Sequence, residues 1–396
     1  MALTRTPRSN QLHIGIYGKR NSGKSSLLNA LTNQDAAMVS EVAGTTTDPV
    51  YKTMEIHGIG PCVFIDTPGF DDEGTLGELR VERTKQAVEK TDLAFIVCSD
   101  SDITQELQWK SYLRERDIPV VMVINKKDTA KAAENLKKKI DKQYDGTVII
   151  SNAAEKSGME EIRQAILKNI PEGYEKNSIV GELADQNDVV LLVMPQDIQA
   201  PKGRLILPQV QTIRDLLDKK CIIMNVTLDQ YENGLKHLST PPKLIITDSQ
   251  VFDKVYKSKP KESMITSFSV LFANYKGDIS YYIESAKKID QLTEESRVLI
   301  AEACTHAPLK EDIGREQIPA MLRKRIGEGL RVDVVCGTDF PEDLTSYSLI
   351  IQCGGCMFNR RYMLSRVNRA KKQGIPITNY GIVIAFMKNI LDSIVY

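Results

Sequence analysis

The chain has 396 residues, enough for two or three domains of the usual ~150, and its 52 Lys plus Arg balance 52 Asp plus Glu to a formal net charge of zero. Such a balance leaves no global field that would draw the protein to nucleic acid or acidic lipid, so no nucleic-acid partner is expected. Apolar runs such as Val120 to Ile124 are too short to span a bilayer, and Met1 to Asn10 holds no apolar core of the signal-peptide kind. A cytoplasmic protein without membrane contact is the expectation, and its seven unevenly spaced cysteines read as reduced thiols or metal ligands.

In chain order, the apolar run His13-Ile14-Gly15-Ile16-Tyr17 reads as a strand and Ser26-Leu27-Leu28-Asn29-Ala30-Leu31 as a helix. Between them, Gly18 to Ser25 spells Gly-Lys-Arg-Asn-Ser-Gly-Lys-Ser, a full G-x-x-x-x-G-K-S phosphate loop in the strand-loop-helix setting its chemistry needs. Backbone N–H groups from Gly18 through Asn21, Ser22, Gly23 and Ser26 are expected to cradle the α- and β-phosphates. Lys24 should reach the β/γ oxygens and the Ser25 hydroxyl should sit on Mg²⁺.

Farther along, Asp66-Thr67-Pro68-Gly69 closes the strand-like run Cys62 to Asp66, and Asn125-Lys126-Lys127-Asp128 closes Val120 to Asn125. A carboxylate at Asp128 can accept two hydrogen bonds, from the N1–H and the exocyclic amine of guanine, a pattern adenine lacks. Asn125 and the stem of Lys126 would hold the base plane. Ser151-Asn152-Ala153, after the run Val148 to Ser151, would back the guanine O6 with a main-chain N–H. Together these motifs read as a GTP hydrolase that binds GTP or GDP, with Lys24, Asp66 and Gly69 in the catalytic set and Asp66 reaching Mg²⁺ through water. With Leu93 to Cys98 as a further strand, the alternation implies a doubly wound α/β sheet over residues 1–172, followed by a polar linker over 173–187.

The second segment, 188–270, repeats the rhythm with strands at Asp188 to Met194, Cys221 to Val226 and Leu244 to Thr247 and a helix at Val210 to Lys219. It carries no chemical motif, so a small α/β domain for self-association, making a homodimer, is expected. The third, 271–396, has strands at Arg297 to Ala303, Arg331 to Cys336 and Ser348 to Gln352 and reads as an α/β parallel-sheet domain. Cys304-Thr305-His306 follows the first of these strands. Cys353-Gly354-Gly355-Cys356 follows the third, with 46 residues between His306 and Cys353.

Carboxyl ends of parallel strands open onto a common crevice, so both loops can face one point and three thiolates can meet. The competing readings are a thioredoxin-like dithiol and simple buried cysteines. Three Cys with His306 would complete a tetrahedral Zn²⁺ site, whereas three Cys with a labile ligand suit a 4Fe-4S cluster with one reachable iron. His306, Cys336, Glu311 and Asp312 are the candidates for the fourth position. Cys336 itself ends the apolar run Val334-Val335-Cys336 and reads as a packed thiol.

A G domain, a motif-poor middle and a tail with C-x-H, 46 residues and C-x-x-C resemble, over essentially the full length, the HydF family, the GTPases that mature FeFe-hydrogenase. The resemblance implies that Cys304, Cys353 and Cys356 bind a 4Fe-4S cluster, with His306 as a possible fourth ligand. It also implies a scaffold or carrier that holds the di-iron precursor of the hydrogenase active site. The partners would then be the FeFe-hydrogenase and the radical-SAM maturases that build the precursor. The family has a His immediately before its C-x-x-C, where this chain has Gln352, a departure that favours an exchangeable iron site.

The G domain also resembles the potassium-activated GTPases typified by the tRNA-modifying MnmE and Era-like proteins. Asn21 fills their marker position, and Ser40 to Thr46 matches the switch loop that wraps the ion. That resemblance implies Asn21 on K⁺, Thr45 and Thr46 at the nucleotide, and Thr46 on Mg²⁺ and the γ-phosphate as part of the catalytic set. Phe70 follows Gly69, so the water-orienting glutamine of Ras-like enzymes is missing. A monovalent cation could supply the positive charge that an arginine finger gives elsewhere, and hydrolysis should be slow.

Arg360, Arg361, Arg366, Arg369, Lys371 and Lys372 form a basic run that reads as a solvated helix face, or whose first turn could hold an anionic iron precursor. The rival class is a ribosome- or RNA-associated GTPase with a zinc-stabilised tail. It shares all the G-domain residues, but neutral charge and the lack of a KH or OB signature stand against it.

Overall fold

The computed structural model describes residues 7–32, 48–70, 75–125, 130–171, 174, 178–195, 205–303 and 312–396. The expectations placed on Thr45, Thr46, Lys126, Asp128, Cys304, His306 and Glu311 lie outside the described residues. The chain divides into two compact units, residues 1–175 and 176–396.

The first unit holds β1 (Leu12–Gly18), β2 (Val50–Ile56), β3 (Gly60–Asp66), β4 (Leu93–Cys98), β5 (Val120–Ile124) and β6 (Val148–Ile150), in the spatial order β2-β3-β1-β4-β5-β6. All neighbours are parallel except β2, which runs antiparallel to β3 as an added edge, so the sheet is mixed. Gly58 and Gly60, both at φ 93°, carry the short connection between these two strands, a conformation glycine reaches without Cβ strain.

Alternation along β1 builds a helix-sheet-helix sandwich around this sheet. Leu12, Ile14 and Ile16 pack with Leu27, Phe64 and Phe95 on one face, while Tyr17 joins Ile96, Met122 and Ile124 on the other. Each fully buried Phe or Ile in these two layers contributes ~1.5–3 kcal/mol.

In the second unit, β7 (Val189–Val193), β8 (Ile222–Val226), β9 (Leu244–Thr247) and β10 (Met264–Ser267) form a parallel sheet ordered β10-β9-β7-β8. A second parallel sheet follows, of β11 (Arg297–Ala301), β12 (Arg331–Val335), β13 (Leu349–Gln352) and β14 (Ile377–Asn379), ordered β12-β11-β13-β14. The two sheets share one hydrophobic core: Leu191, Ile245 and Ile265 of the first belong to the same buried cluster as Leu299, Ile350 and Ile377 of the second. The chain is therefore an α/β protein whose middle and C-terminal segments are welded by apolar contact. Among the described residues no helix is long and apolar enough to cross a membrane.

Candidate nucleotide and thiolate sites

The phosphate loop lies between β1 and the helix Lys24–Thr32, as the motif requires. Three residues in it take left-handed or otherwise positive φ: Gly18 (152°), Asn21 (56°) and Gly23 (91°). A side chain at Gly18 would bring a Cβ to 2.6 Å from the Val97 carbonyl oxygen, so only glycine fits beneath β4. The Lys24 ammonium is almost fully buried and donates to the carbonyls of Gly18 (2.9 Å) and Lys19 (2.8 Å), curled across the loop it serves.

Ser25 and Asp66, both expected at Mg²⁺, are brought together: the Ser25 hydroxyl donates to Asp66 Oδ2 at 2.6 Å. Asp66 is 2% exposed, and its Oδ1 has no hydrogen-bond partner among the described residues. Burial lifts the Asp66 carboxyl above the usual range, while the Ser25 hydroxyl and the Lys24 charge pull it back. A buried carboxylate oxygen left without a partner, beside a serine hydroxyl, fits a hydrated divalent cation. Gly69 is buried at the end of the same segment, and Phe70 stacks on Trp109 at 5.2 Å, filling the position after it with hydrocarbon.

Asn125 does something the sequence did not suggest. Fully buried at the end of β5, its amide donates to the Ser22 carbonyl (3.2 Å) and its Oδ1 accepts from the Ala153 N–H (3.2 Å). One side chain thus ties the phosphate loop to the loop expected at guanine O6. That second loop is held in shape by a pair of backbone hydrogen bonds between Asn152 and Ser157, both 3.1 Å. It is also held by Asn152 Oδ1, which accepts from Ala154 N–H at 3.0 Å.

In the second unit the C-x-x-C turn leaves the carboxyl end of β13. The Cys353 sulfur accepts the backbone N–H of Ala303 at 3.0 Å, and the Cys353 N–H donates to Ala301 at 3.1 Å. The segment leaving β11 is therefore stapled to this sulfur one residue before Cys304 in the sequence. Burial pushes the Cys353 thiol up, and N–H donation from Gly355 and Ala303 opposes that. Gly355 has φ 60°, and a Cβ there would run into the Met363 thioether. Both cysteines are half-buried, and with Glu302, Asp312 and Tyr380 they line a cavity of about 260 Å³ to which Asp248, Ser249, Ser269 and Phe272 also contribute. Among the described residues no group of three or more metal-ligating side chains is assembled.

Two expectations on this unit need correction. Cys336 is a hydrogen-bonded thiol rather than a merely packed one: Arg315 Nη2 lies 2.8 Å from its sulfur and the thiol faces Glu302 Oε2 at 3.3 Å. The basic run is not a solvated face throughout, since Arg366 is 1% exposed with its guanidinium over the rings of Phe340 and Tyr362, each at 4.9 Å. Arg369 caps the carbonyls of Phe340 and Pro341, and Lys371 pairs with Asp278 at 2.6 Å. Strand alternation turns Gln352 to the side opposite Cys353, where it is fully buried and its amide donates to Tyr282 at 2.5 Å. Asp312 accepts from the N–H groups of Gly314 and Arg315, both at 2.9 Å, and so opens the following helix.

Comparison with known proteins matches three stretches of the chain to family models. Residues 280–396 match the hydrogen maturase F tetramerization domain, 179–277 the hydrogen maturase F dimerization domain, and 13–126 the 50S ribosome-binding GTPase domain. The tRNA modification GTPase MnmE of Aquifex aeolicus is 36% identical over 168 residues, which cover 41% of this chain and 36% of that protein. GTPase Der of Wolinella succinogenes is 40% identical over 123 residues, 30% of this chain and 26% of that protein. The chain thus spans about a third or less of the length of these curated relatives. The structure of Aquifex aeolicus Era bound to GDP.AlF4- aligns at 21% identity and a TM-score of 0.38, covering 54% of this chain and 92% of that one. The first unit is a P-loop GTPase domain, and the second carries domains for oligomerization.

Proposed function

Because this chain belongs to the hydrogen maturase F family, we propose that its GTPase domain works beside an iron-sulfur scaffold that holds the di-iron precursor of the FeFe-hydrogenase active site and delivers it to the apo-enzyme. Cys304, Cys353 and Cys356 hold a 4Fe-4S cluster, with His306 as the candidate for the remaining iron. The cluster supplies an iron site open to exchange, at which the precursor can be kept. The observation that carries this reading is the Cys353–Cys356 turn at the carboxyl end of a parallel strand. Its sulfur already accepts an N–H from the segment that leads to Cys304. Backbone N–H donors of this kind hold thiolates in place and stabilise their negative charge.

At the nucleotide, Gly18, Ser22, Gly23 and Ser26 offer N–H groups to the phosphates, and Lys24 swings from its present carbonyls to the β/γ oxygens. Ser25, Thr46 and Asp66 hold Mg²⁺, which offsets charge on the phosphates. Asn21 would hold K⁺, whose charge would serve where an arginine finger serves elsewhere, Thr45 would sit at the nucleotide, and Gly69 would bound the γ-phosphate. Asn125, Lys126 and Asp128 read guanine, with Ser151, Asn152 and Ala153 behind its O6. A cytoplasmic setting and contact with the hydrogenase and the radical-SAM maturases belong to the same proposal. A ribosome- or RNA-associated role would account for the first unit alone, since residues 179–396 match hydrogen maturase F models.

The test is anaerobic reconstitution of the full chain with iron and sulfide. The scaffold reading expects a brown protein that becomes paramagnetic on reduction and, after loading with precursor, activates apo-hydrogenase. A colourless protein with one zinc would overturn it.

A further inference from the structure

The C-x-x-C turn is held by a residue outside the stretch matched to the tetramerization domain. Lys276 is the last residue of the helix Phe268–Lys276, which follows β10 in the segment matched to the dimerization domain. Its side chain is 2% exposed, and its ammonium donates to the carbonyls of Gly355 (2.9 Å), Cys356 (3.5 Å) and Phe358 (2.7 Å). Three carbonyls within four residues of the turn thus converge on one nitrogen. The same helix end receives a second strut, the Arg360 Nε donating to the Tyr275 carbonyl at 3.0 Å. Phe272, one turn earlier, approaches Gly354 and forms part of the cavity wall in front of the sulfurs.

A lysine is seldom buried this completely, because desolvating an ammonium is costly unless its protons are all engaged. Among the described residues three carbonyl acceptors face its three donors, and all three belong to the segment that carries two thiols. Turns with glycine at both central positions are also conformationally loose, so Gly354 and Gly355 give the segment no stiffness of their own.

We propose that Lys276 is a positioning residue for the thiolate turn: the dimerization segment sets the C-x-x-C geometry through this ammonium, and its fixed positive charge stabilises negative charge gathered on the sulfurs. The iron-dependent part of this inference rests on the scaffold reading, whereas the conformational part does not. Two consequences follow from the geometry. Neutralising residue 276 frees the turn without unfolding either sheet, and a cluster bound in the variant feels less positive potential.

The experiment compares the full chain with its Lys276→Met and Lys276→Arg variants. In metal-free protein, amide hydrogen exchange over residues 353–358 should speed up by at least about tenfold in the Met variant, with the sheet cores unchanged, and return toward wild type in the Arg variant. After anaerobic reconstitution, the Met variant should bind less iron, and what cluster it holds should reduce at a more negative potential, a shift that a purely structural role would not produce. Wild-type exchange and wild-type potential in the Met variant overturn the proposal. Should that variant fail to fold, Lys276→Gln and Lys276→Arg decide it: a freed turn in Gln but not in Arg supports the role, and equal behaviour of the two overturns it. If the wild type takes up no iron, the scaffold reading fails while the exchange measurement still judges Lys276.

Discussion

The phosphate loop and the thiolate turn sit at the same place in their respective sheets, the carboxyl ends of parallel strands, yet they are built by opposite means. The loop is contiguous: Gly18 to Ser25 supplies its own glycines, its own lysine and its own serine, and its long-range ties include those to Asn125 and Asp66 and that of Lys19 to the Asp102 carbonyl. The thiolate turn has two loose glycines and borrows its rigidity, from Lys276 on a helix and from Ala303 at the end of β11. A local motif carries its own geometry and can move between proteins, whereas the borrowed kind depends on the fold around it.

Breaking one site while leaving the other intact is the sharpest way to probe this contrast. Cys353→Ala or Cys356→Ala should abolish cluster binding and hydrogenase activation outright, while GTP turnover stays within about twofold of wild type, as expected for sites carried by separate compact units. Iron analysis and a phosphate-release assay on the same samples check this, and turnover lost with the iron would contradict it. In the reverse direction, Lys24→Ala removes the preorganised positive charge of the loop and should lower turnover by roughly 10²–10³-fold. Iron content should not change, and parallel loss of iron would show that the sites are coupled.

A smaller effect is expected from Asn125→Ala. It leaves the Ser22 carbonyl and the Ala153 N–H without their shared partner, at a cost of ~1–3 kcal/mol. Calorimetric titration should record GDP binding weaker by roughly 10–100-fold, and unchanged affinity would mean that the tie between the two loops is idle. Gly355→Ala tests the borrowed geometry: a side chain at φ 60° against Met363 should cost ~1–3 kcal/mol, read as a lower thermal midpoint of the second unit alone. A midpoint equal to wild type would show that the turn tolerates other shapes.

The same contrast explains what could be read from the chain beforehand. Strands such as Leu93–Cys98 and Val120–Ile124 were legible because a strand buried on both faces is a continuous apolar run bounded by polar residues. Edge strand β2 was not, since Val50–Ile56 mixes lysine, threonine and glutamate on a half-exposed strip, and the three residues of β14 are too few to show a period. Motif residues declared themselves by spacing. Asn125 was found but given only a role at the base, because its hydrogen bonds to Ser22 and Ala153 span a sequence distance that no local pattern encodes. Lys276 looked like any helix-terminal lysine, and Arg366 like any residue of a basic run. Their burial is a property of what packs on them, which a single sequence does not display.

The measurement that bears most directly on the account is iron and sulfide per chain in anaerobically reconstituted wild type and Cys304→Ser, with GTP turnover recorded on the same preparations. About four iron and four sulfide in the wild type, a marked loss in the variant and equal turnover in both are the expected results. Equal iron in the two proteins, or none in either, would contradict the assignment of the thiolate turn.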